Sequence, residues 1–354
     1  MRALGFPAPT PAGRGVVRFA GDARAGALAV LALRSASRVA LELGRGLPPG
    51  PTGLFQALAA LEWERWLPRH DPWAVRVVGR TAVLRHTLHT ARLAKDAIRE
   101  RFAAKGLVAP PVDPAAPRVL VEVRVGEREA VAGLDLGGKS LHERGTDRSG
   151  TAPLREDVAA GLAILAGAST AGPVLDPFCG TGTLVAEAAG VALGRPPARD
   201  PRTTALAAIA PFRELPLERL ARELAERAAG RRGVFLGSDA DGAAVREARA
   251  ALARQGLAGV VEIRECDVLD VEPPPGPGLL LTNPPWGLRL DERTAHAAWE
   301  RLGQLAHRRL AGWRLAVLSG APGLTRALGL KAERRFPVRV GGVDARLLLY
   351  TVRG

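Results

Sequence analysis

The chain has 354 residues, of which 47% are apolar, and a formal net charge of +14. That length allows two or three domains, and that apolar share excludes a long disordered chain. Cys179 and Cys266 are the only cysteines, which excludes a disulfide framework and a Cys-rich metal site.

No segment reads as a signal peptide or a membrane span. The apolar run from Ala27 to Leu33 stops at Arg34 and is far too short to cross a bilayer. A cytoplasmic protein is expected. Residues 1–150 carry 23 basic and 14 acidic side chains, and residues 151–354 carry 27 and 22. A basic surplus in both halves suits a polyanionic partner, most simply nucleic acid.

In chain order, Gly15 to Phe19 reads as a strand. Asp22 can cap a following helix that has Leu28, Leu31 and Leu33 on its apolar side. Ala36–Leu43 reads as a strand. Leu54–Leu67 reads as a helix, with Leu54, Leu58, Leu61 and Trp66 spaced for one face. Pro72–Val78 is a strand. Leu88–Ala104 is a helix burying Leu93, Ala94, Ala97, Ile98 and Phe102. Arg92, Lys95 and Arg99 share its opposite stripe at spacings of three and four. That stripe is a candidate RNA contact; a solvated helix face is the alternative. His86 and His89 lie three apart with no carboxylate or thiol spaced to help, so no metal is expected there. Arg118–Val125 and Ala130–Leu136 are strands joined by a charged turn.

The second half alternates strand and helix. A helix over Leu154–Leu165 leads into Val174-Leu-Asp-Pro-Phe-Cys-Gly-Thr-Gly-Thr-Leu184. Val174 and Leu175 close a buried strand that ends at Asp176. Gly180 and Gly182 let the backbone turn sharply and lie close to a ligand, because neither carries a Cβ. A helix starts at Thr183. Strand, glycine turn, helix is how an open α/β sheet builds a nucleotide-sized crevice at its strand ends, although an ordinary βα loop can look the same. Residues 191–213 are Pro-interrupted and irregular. Leu217–Ala229 is a helix, and Gly233–Asp239 is a strand. Asp241 caps a helix over Ala243–Ala253. Val260–Asp267 is a further strand.

Leu279-Leu-Leu-Thr-Asn-Pro-Pro-Trp-Gly287 is another buried strand, stopped by two prolines that donate no hydrogen bond and fix φ. Asn283, Pro284, Pro285 and Trp286 present rigid carbonyls, an amide and an aromatic face. That set suits a planar group carrying an NH2: Asn283 Oδ1 and the Pro284 carbonyl can accept both amine hydrogens, and Trp286 can stack on the ring. A Pro-Pro turn beside a core Trp is the alternative. Arg314–Ser319 is a strand, and Arg334–Val340 with Ala345–Val352 form a terminal hairpin around Gly341-Gly342. The count is about seven strands with interleaved helices, an α/β pattern with an antiparallel end.

Asp-Pro-Phe-Cys-Gly-Thr-Gly-Thr followed by Asn-Pro-Pro-Trp resembles the class I S-adenosylmethionine-dependent methyltransferases that modify exocyclic amines. The Phe-Cys form resembles the RNA guanine-N2 methyltransferases with an N-terminal THUMP domain, bacterial enzymes acting on 23S rRNA or tRNA. The resemblance implies a Rossmann-like methyltransferase sheet preceded by a small α+β ferredoxin-like and THUMP region. It divides the chain into a truncated ferredoxin-like domain at 1–68, a THUMP RNA-binding domain at 69–138 and a methyltransferase domain at 139–354. It implies S-adenosylmethionine held by Asp176, Pro177, Phe178, Cys179, Gly180, Thr181, Gly182 and Thr183, with Asp239 on the ribose hydroxyls and Asp267 at the adenine amine. Thr151 and Leu154 would wall the pocket. The catalytic set would be Asn283, Pro284, Pro285 and Trp286.

On this resemblance the substrate is a guanosine N2 in structured RNA, most simply 23S rRNA. A tRNA, a DNA base amine, and an RNA-binding protein without catalysis are the alternatives. No metal or membrane partner is expected, and a monomer is. In two places the chain departs from the family. Its N-terminal domain lacks the usual first strand and most of a helix; either this lineage lost the element or the start codon lies upstream, and the second is expected because the loss would expose a sheet edge. Its 191–213 segment offers only Phe212 where relatives are aromatic-rich.

Overall fold

The computed structural model describes residues 6–13, 15–144, 154–170, 172–197, 199–287 and 291–353. The chain divides into two compact units. The first is built from residues 1–141 with 199–223, and the second from 142–198 with 224–354.

The first unit opens with an antiparallel pair, β1 (Thr10–Gly13) and β2 (Val16–Arg18). Helix α1 (Ala23–Ala32) follows, its first turn capped by Asp22, which accepts from Ala25 N at 2.8 Å. It buries Ala27, Ala29, Val30 and Leu31, so its inner face is shifted from the expected leucine spacing. Strand β3 is Ala40–Leu47, four residues later than Ala36–Leu43. Helix α2 runs Pro51–Ala60 with a proline in its first turn, where the missing N–H costs nothing. It stops short of the expected Leu67. Leu61 is extended, and the indole of buried Trp63 turns back to donate to Leu58 O at 2.7 Å. Trp63, not Trp66, completes the buried face.

Strand β4 (Trp73–Val78), helix α3 (Thr87–Ala104), β5 (Val119–Val125) and β6 (Ala130–Asp135) complete a four-stranded sheet of order β3-β6-β5-β4. Residues on both sides of position 69 therefore share one sheet. Helix α3 buries Thr90, Ala94, Ala97, Ile98 and Phe102 against it and leaves Leu93 half-exposed.

Residues 199–223 return to this first unit. Arg199 donates to three carbonyls, Val30 O, Leu33 O (3.1 Å) and Leu141 O (2.7 Å), which satisfies acceptors that the end of α1 leaves open. Phe212 is buried and lies against Gly26, where an added Cβ would meet its ring at 2.8 Å. The irregular stretch is thus three short 3₁₀ turns, Pro201–Thr203, Ala205–Ala207 and Phe212–Glu214, and Phe212 serves the core of the first unit.

The second unit contains α4 (Glu156–Leu165), β7 (Val174–Asp176) and α5 (Thr183–Ala192). Helix α6 (Leu217–Glu226) begins within the last residues of the first unit, which ends at Glu223. Then follow β8 (Phe235–Asp239), α7 (Gly242–Arg254), β9 (Val261–Glu265), β10 (Leu279–Thr282), α8 (Glu292–Arg309), β11 (Arg314–Ser319), β12 (Arg334–Val340) and β13 (Val343–Thr351). They form a seven-stranded sheet of order β12-β13-β11-β10-β7-β8-β9. Its pairs are parallel from β11 to β9 and antiparallel at β11–β13 and β12–β13.

This is the expected Rossmann-like methyltransferase sheet. Its two faces are covered by separate apolar layers. One is built on Leu162, Leu184, Val185, Ala248 and Leu252, and the other on Trp299, Leu302, Leu305 and Trp313. The chain moves outward from β7 to β8 and β9, then returns to the other side of β7 as β10. Order reverses between β7 and β10, and such a switch point opens a crevice at the carboxyl ends of the strands.

Candidate active site

The two sequence motifs meet at that switch point. Leu280 of β10 pairs with Leu175 of β7, so the glycine turn and the Asn-Pro-Pro-Trp turn leave the sheet side by side. Thr282 Oγ1 donates to Asp176 Oδ1 at 2.6 Å, and Phe178 N donates to the same oxygen at 3.3 Å. Asp176 is fully buried. Burial pushes its carboxyl up to about 7, against the pull of the Thr282 and Phe178 hydrogen bonds, and the Asp239 carboxylate adds to the rise.

The glycine turn is held by backbone bonds: Cys179 N to Ser238 O at 2.9 Å and Gly182 N to Cys179 O at 2.8 Å. Gly180 has φ +50° and Gly182 φ +76°, a left-handed region that side chains avoid. A Cβ on Gly180 would meet nothing within 4 Å, whereas one on Gly182 would press on Ala248 Cβ at 3.2 Å. Gly180 therefore borders open space, and Gly182 is needed for helix packing. Pro177, Cys179 and Thr183 are buried, Phe178 half-buried, and Thr181 Oγ1 lies 3.3 Å from Thr183 Oγ1. Burial raises the Cys179 thiol far above its ordinary range, so it packs as a neutral side chain.

Asp239 ends β8 with one oxygen on Gly180 N (2.9 Å) and the other on Asp241 N (3.0 Å). Each carboxylate oxygen keeps a free lone-pair direction for a diol. Asp241 caps α7, accepting from Ala243 N at 2.8 Å. Asp267 Oδ1 receives Leu269 N at 2.9 Å and the Arg301 guanidinium at 2.8 Å, leaving its other oxygen for an amine. Leu154 packs half-buried on the same apolar layer as α5. Thr151 lies outside the described residues.

The Asn-Pro-Pro-Trp turn is clamped from two sides. Trp286 Nε1 donates to Leu318 O at 3.2 Å, and its six-membered ring lies against Gly320, where any Cβ would collide at 2.3 Å. Trp299 of α8, wholly buried, donates from Nε1 to Pro285 O at 3.0 Å. The Pro285 carbonyl is thereby occupied. Asn283 Oδ1 is buried and has no hydrogen-bond partner, a costly state unless a donor arrives.

Thr282, Trp299, Arg301 and Gly320 had no sequence signal beyond their neighbourhood. Thr282 adjoins Asn283, and the others reach the site only through tertiary folding. In the first unit, Arg92 and Arg99 are exposed on α3, while Lys95 lies 3.2 Å from Asp96. Among the described residues no cluster of His, Cys, Asp and Glu could hold a metal, and no helix is long and apolar enough to cross a membrane.

Residues 144–348 match the family model described as RMKL-like, methyltransferase domain. The chain belongs to the RMKL-like methyltransferase family. It is 35% identical over 353 residues to the ribosomal RNA large subunit methyltransferase K/L of Marinobacter nauticus, covering 94% of this chain and 48% of that protein. This RMKL-like chain thus spans about half the length of the curated relative it matches. Two solved structures are similar over nearly its whole length. SMU.472, described as a candidate methyltransferase and crystallised with S-adenosylhomocysteine, has a TM-score of 0.87 at 26% identity and covers 100% of this chain and 93% of its own. A protein from Listeria monocytogenes, described as a predicted N6-adenine-specific DNA methylase, has a TM-score of 0.84 at 26% identity and covers 99% and 90%.

Proposed function

We propose that this RMKL-like protein transfers a methyl group from S-adenosylmethionine to the exocyclic N2 amine of a guanosine in structured RNA, with large-subunit (23S) rRNA as the substrate. One observation carries this reading: the buried, unpaired Asn283 Oδ1 at the mouth of the β7–β10 crevice. An amine hydrogen is the donor that satisfies it.

S-adenosylmethionine is the cofactor, and it supplies a methyl carbon already activated by its sulfonium. The residues present fit it. Gly180 faces open space, Asp239 ends β8 with free lone pairs for the ribose hydroxyls, and Asp267 keeps one oxygen for the adenine amine. Asp176 to Thr183 shape the turn, and Leu154 walls the pocket. Because Trp299 holds the Pro285 carbonyl, the Pro284 carbonyl is left beside Asn283 as the second acceptor. Two acceptors on the amine hydrogens turn the nitrogen lone pair toward the methyl carbon and take up positive charge as it forms. The exposed part of Trp286 offers a stacking surface that compensates a base for leaving its helix. Pro285 fixes the turn.

Residues 1–68 and 69–138 are assigned as the ferredoxin-like and THUMP parts of one RNA-binding unit, with Arg92, Lys95 and Arg99 on phosphates. The protein acts as a cytoplasmic monomer. The large-subunit name of the Marinobacter relative favours rRNA over tRNA. The Listeria neighbour's description keeps a DNA amine as the second reading, since the same four residues serve any exocyclic amine. Mass spectrometry of nucleosides from rRNA, tRNA and DNA of a deletion strain tests all three. Loss of N2-methylguanosine from 23S rRNA is expected. Loss of a methylated base from DNA alone would overturn the reading.

A further inference from the structure

The hairpin β12–β13 does more than close the sheet. It turns in two residues, Gly341 (φ +56°) and Gly342 (φ +90°), with Val340 paired to Val343. Two positive φ values in a two-residue loop make a tight turn whose twist matches that of its strands. The hairpin is accordingly a stiff projection.

Its height over the sheet follows from the register. Thr282 of β10 pairs with Val317 of β11, and Ser319, the last residue of β11, pairs with Arg346 of β13. Arg346 therefore stands level with the Asn283–Trp286 turn, two strands and roughly 10 Å away along the sheet. The contact of Trp286 with Leu318 O and Gly320 places the turn at that same level. The three residues of each strand nearest the tip rise past the end of β11 by roughly 10 Å.

The hairpin carries an arginine cluster, with Arg339 on the projecting part, Arg346 level with the end of β11 and Arg335 level with Val317. Pro337 faces Arg346 and Arg339 faces Asp344 across the hairpin, so Arg335, Arg339 and Arg346 share one face, as strand alternation requires. It is the face that buries Leu348, Tyr350 and Val352 against α8 lower down. All three arginines are exposed. Among the described residues none of them pairs with a carboxylate, and Asp344, opposite Arg339, makes no ion pair with it. Arg346 lies diagonally across from the other two, at roughly 7–8 Å between backbones. Like charges so placed on one rigid face repel, and a bound polyanion removes that cost.

We propose that Arg335, Arg339 and Arg346 form a second RNA-binding surface. It grips backbone phosphates flanking the target nucleotide, while the Asn-Pro-Pro-Trp turn holds the base itself. This rests on the RNA reading above. It differs from the stripe on α3 in belonging to the methyltransferase unit, on the sheet face opposite the apolar layer against which Trp286 packs. The competing role is guarding an edge: β12 is the last strand of its sheet, and charges there discourage pairing with other chains.

The experiment compares wild-type protein, R335Q/R339Q/R346Q and the charge-keeping R335K/R339K/R346K. Each is titrated with deproteinised large-subunit rRNA over a range of KCl concentrations, and in parallel with duplex DNA. Loss of three phosphate contacts should lower the slope of log affinity against log salt by about two to three. The lysine variant should keep the wild-type slope. S-adenosylmethionine affinity and the unfolding temperature should be the same in all three.

An unchanged salt slope in the glutamine variant, with wild-type RNA binding intact, would overturn the hairpin assignment and leave edge protection. A loss confined to DNA would overturn it as well. Wild-type protein that shows no salt-dependent binding to rRNA would instead sink the RNA reading, and this proposal with it.

Discussion

Thr282 Oγ1 meets Asp176 Oδ1 across 2.6 Å, and this one bond ties the glycine turn to the Asn-Pro-Pro-Trp turn at the switch point of the sheet. Thr282 donates and a buried carboxyl accepts. The site thus has a titratable group in its floor, held near neutrality by burial.

That group shapes stability. Its pKa in the folded protein is raised by burial to about 7 from an ordinary carboxyl value of 3.8. The folded state therefore holds a proton that the unfolded chain has released in between. Stability from this group is fully present below the unfolded pKa and is lost as pH rises to about 7, an effect on the order of 4 kcal/mol. Asp176→Asn should remove this fall. Urea unfolding of both proteins from pH 4 to 8 should show the variant gaining on wild type as pH rises. Parallel curves would mean that Asp176 is ionised throughout.

Asp239 accepts from Gly180 N, and the proposed function also gives it the cofactor ribose. Asp239→Ala should weaken S-adenosylmethionine binding by about 2 kcal/mol or more, because charge-assisted hydrogen bonds vanish and the glycine turn loses its tether. Calorimetry giving near wild-type affinity would remove Asp239 from the cofactor site.

Asn283→Ala takes away the unpaired acceptor and leaves the two prolines and both indole clamps. Single-turnover methyl transfer to rRNA should fall at least about a hundredfold, the size expected for one preorganised stabilising group. Cofactor and RNA should bind nearly as before. Trp299→Phe should act more mildly, since it frees the Pro285 carbonyl but keeps the ring packing. Equal rates in wild type and Asn283→Ala would show that the amine is held elsewhere.

Neutralising Arg92, Lys95 and Arg99 together should lower RNA affinity and flatten its salt dependence without touching cofactor binding. If the slope persists, α3 presents only a solvated face there.

Much of this architecture was legible because it obeys local rules. The seven strands of the second unit and the Asp22 and Asp241 caps announce themselves through periodicity and side-chain chemistry. Spacing extends helix α2 too far because Leu61 and Trp66 keep helical intervals, while the deciding bond, Trp63 to Leu58 O, is local in sequence but forms only once the chain has turned. Trp299 and Arg301 were illegible for another reason. They act from α8 on Pro285 and Asp267, and no spacing rule connects a helix face to a turn that precedes it.

The return of residues 199–223 to the first unit sets a timetable for synthesis. When the ribosome has completed the four-stranded sheet at Asp135, the carbonyls that close α1 still await Arg199, and Gly26 still awaits the ring of Phe212. The N-terminal unit cannot finish folding as the chain's first product, the usual order for successive domains. It must wait until the glycine turn and α5 have emerged. A nascent chain halted near residue 141 would therefore carry an open core rather than a finished first unit.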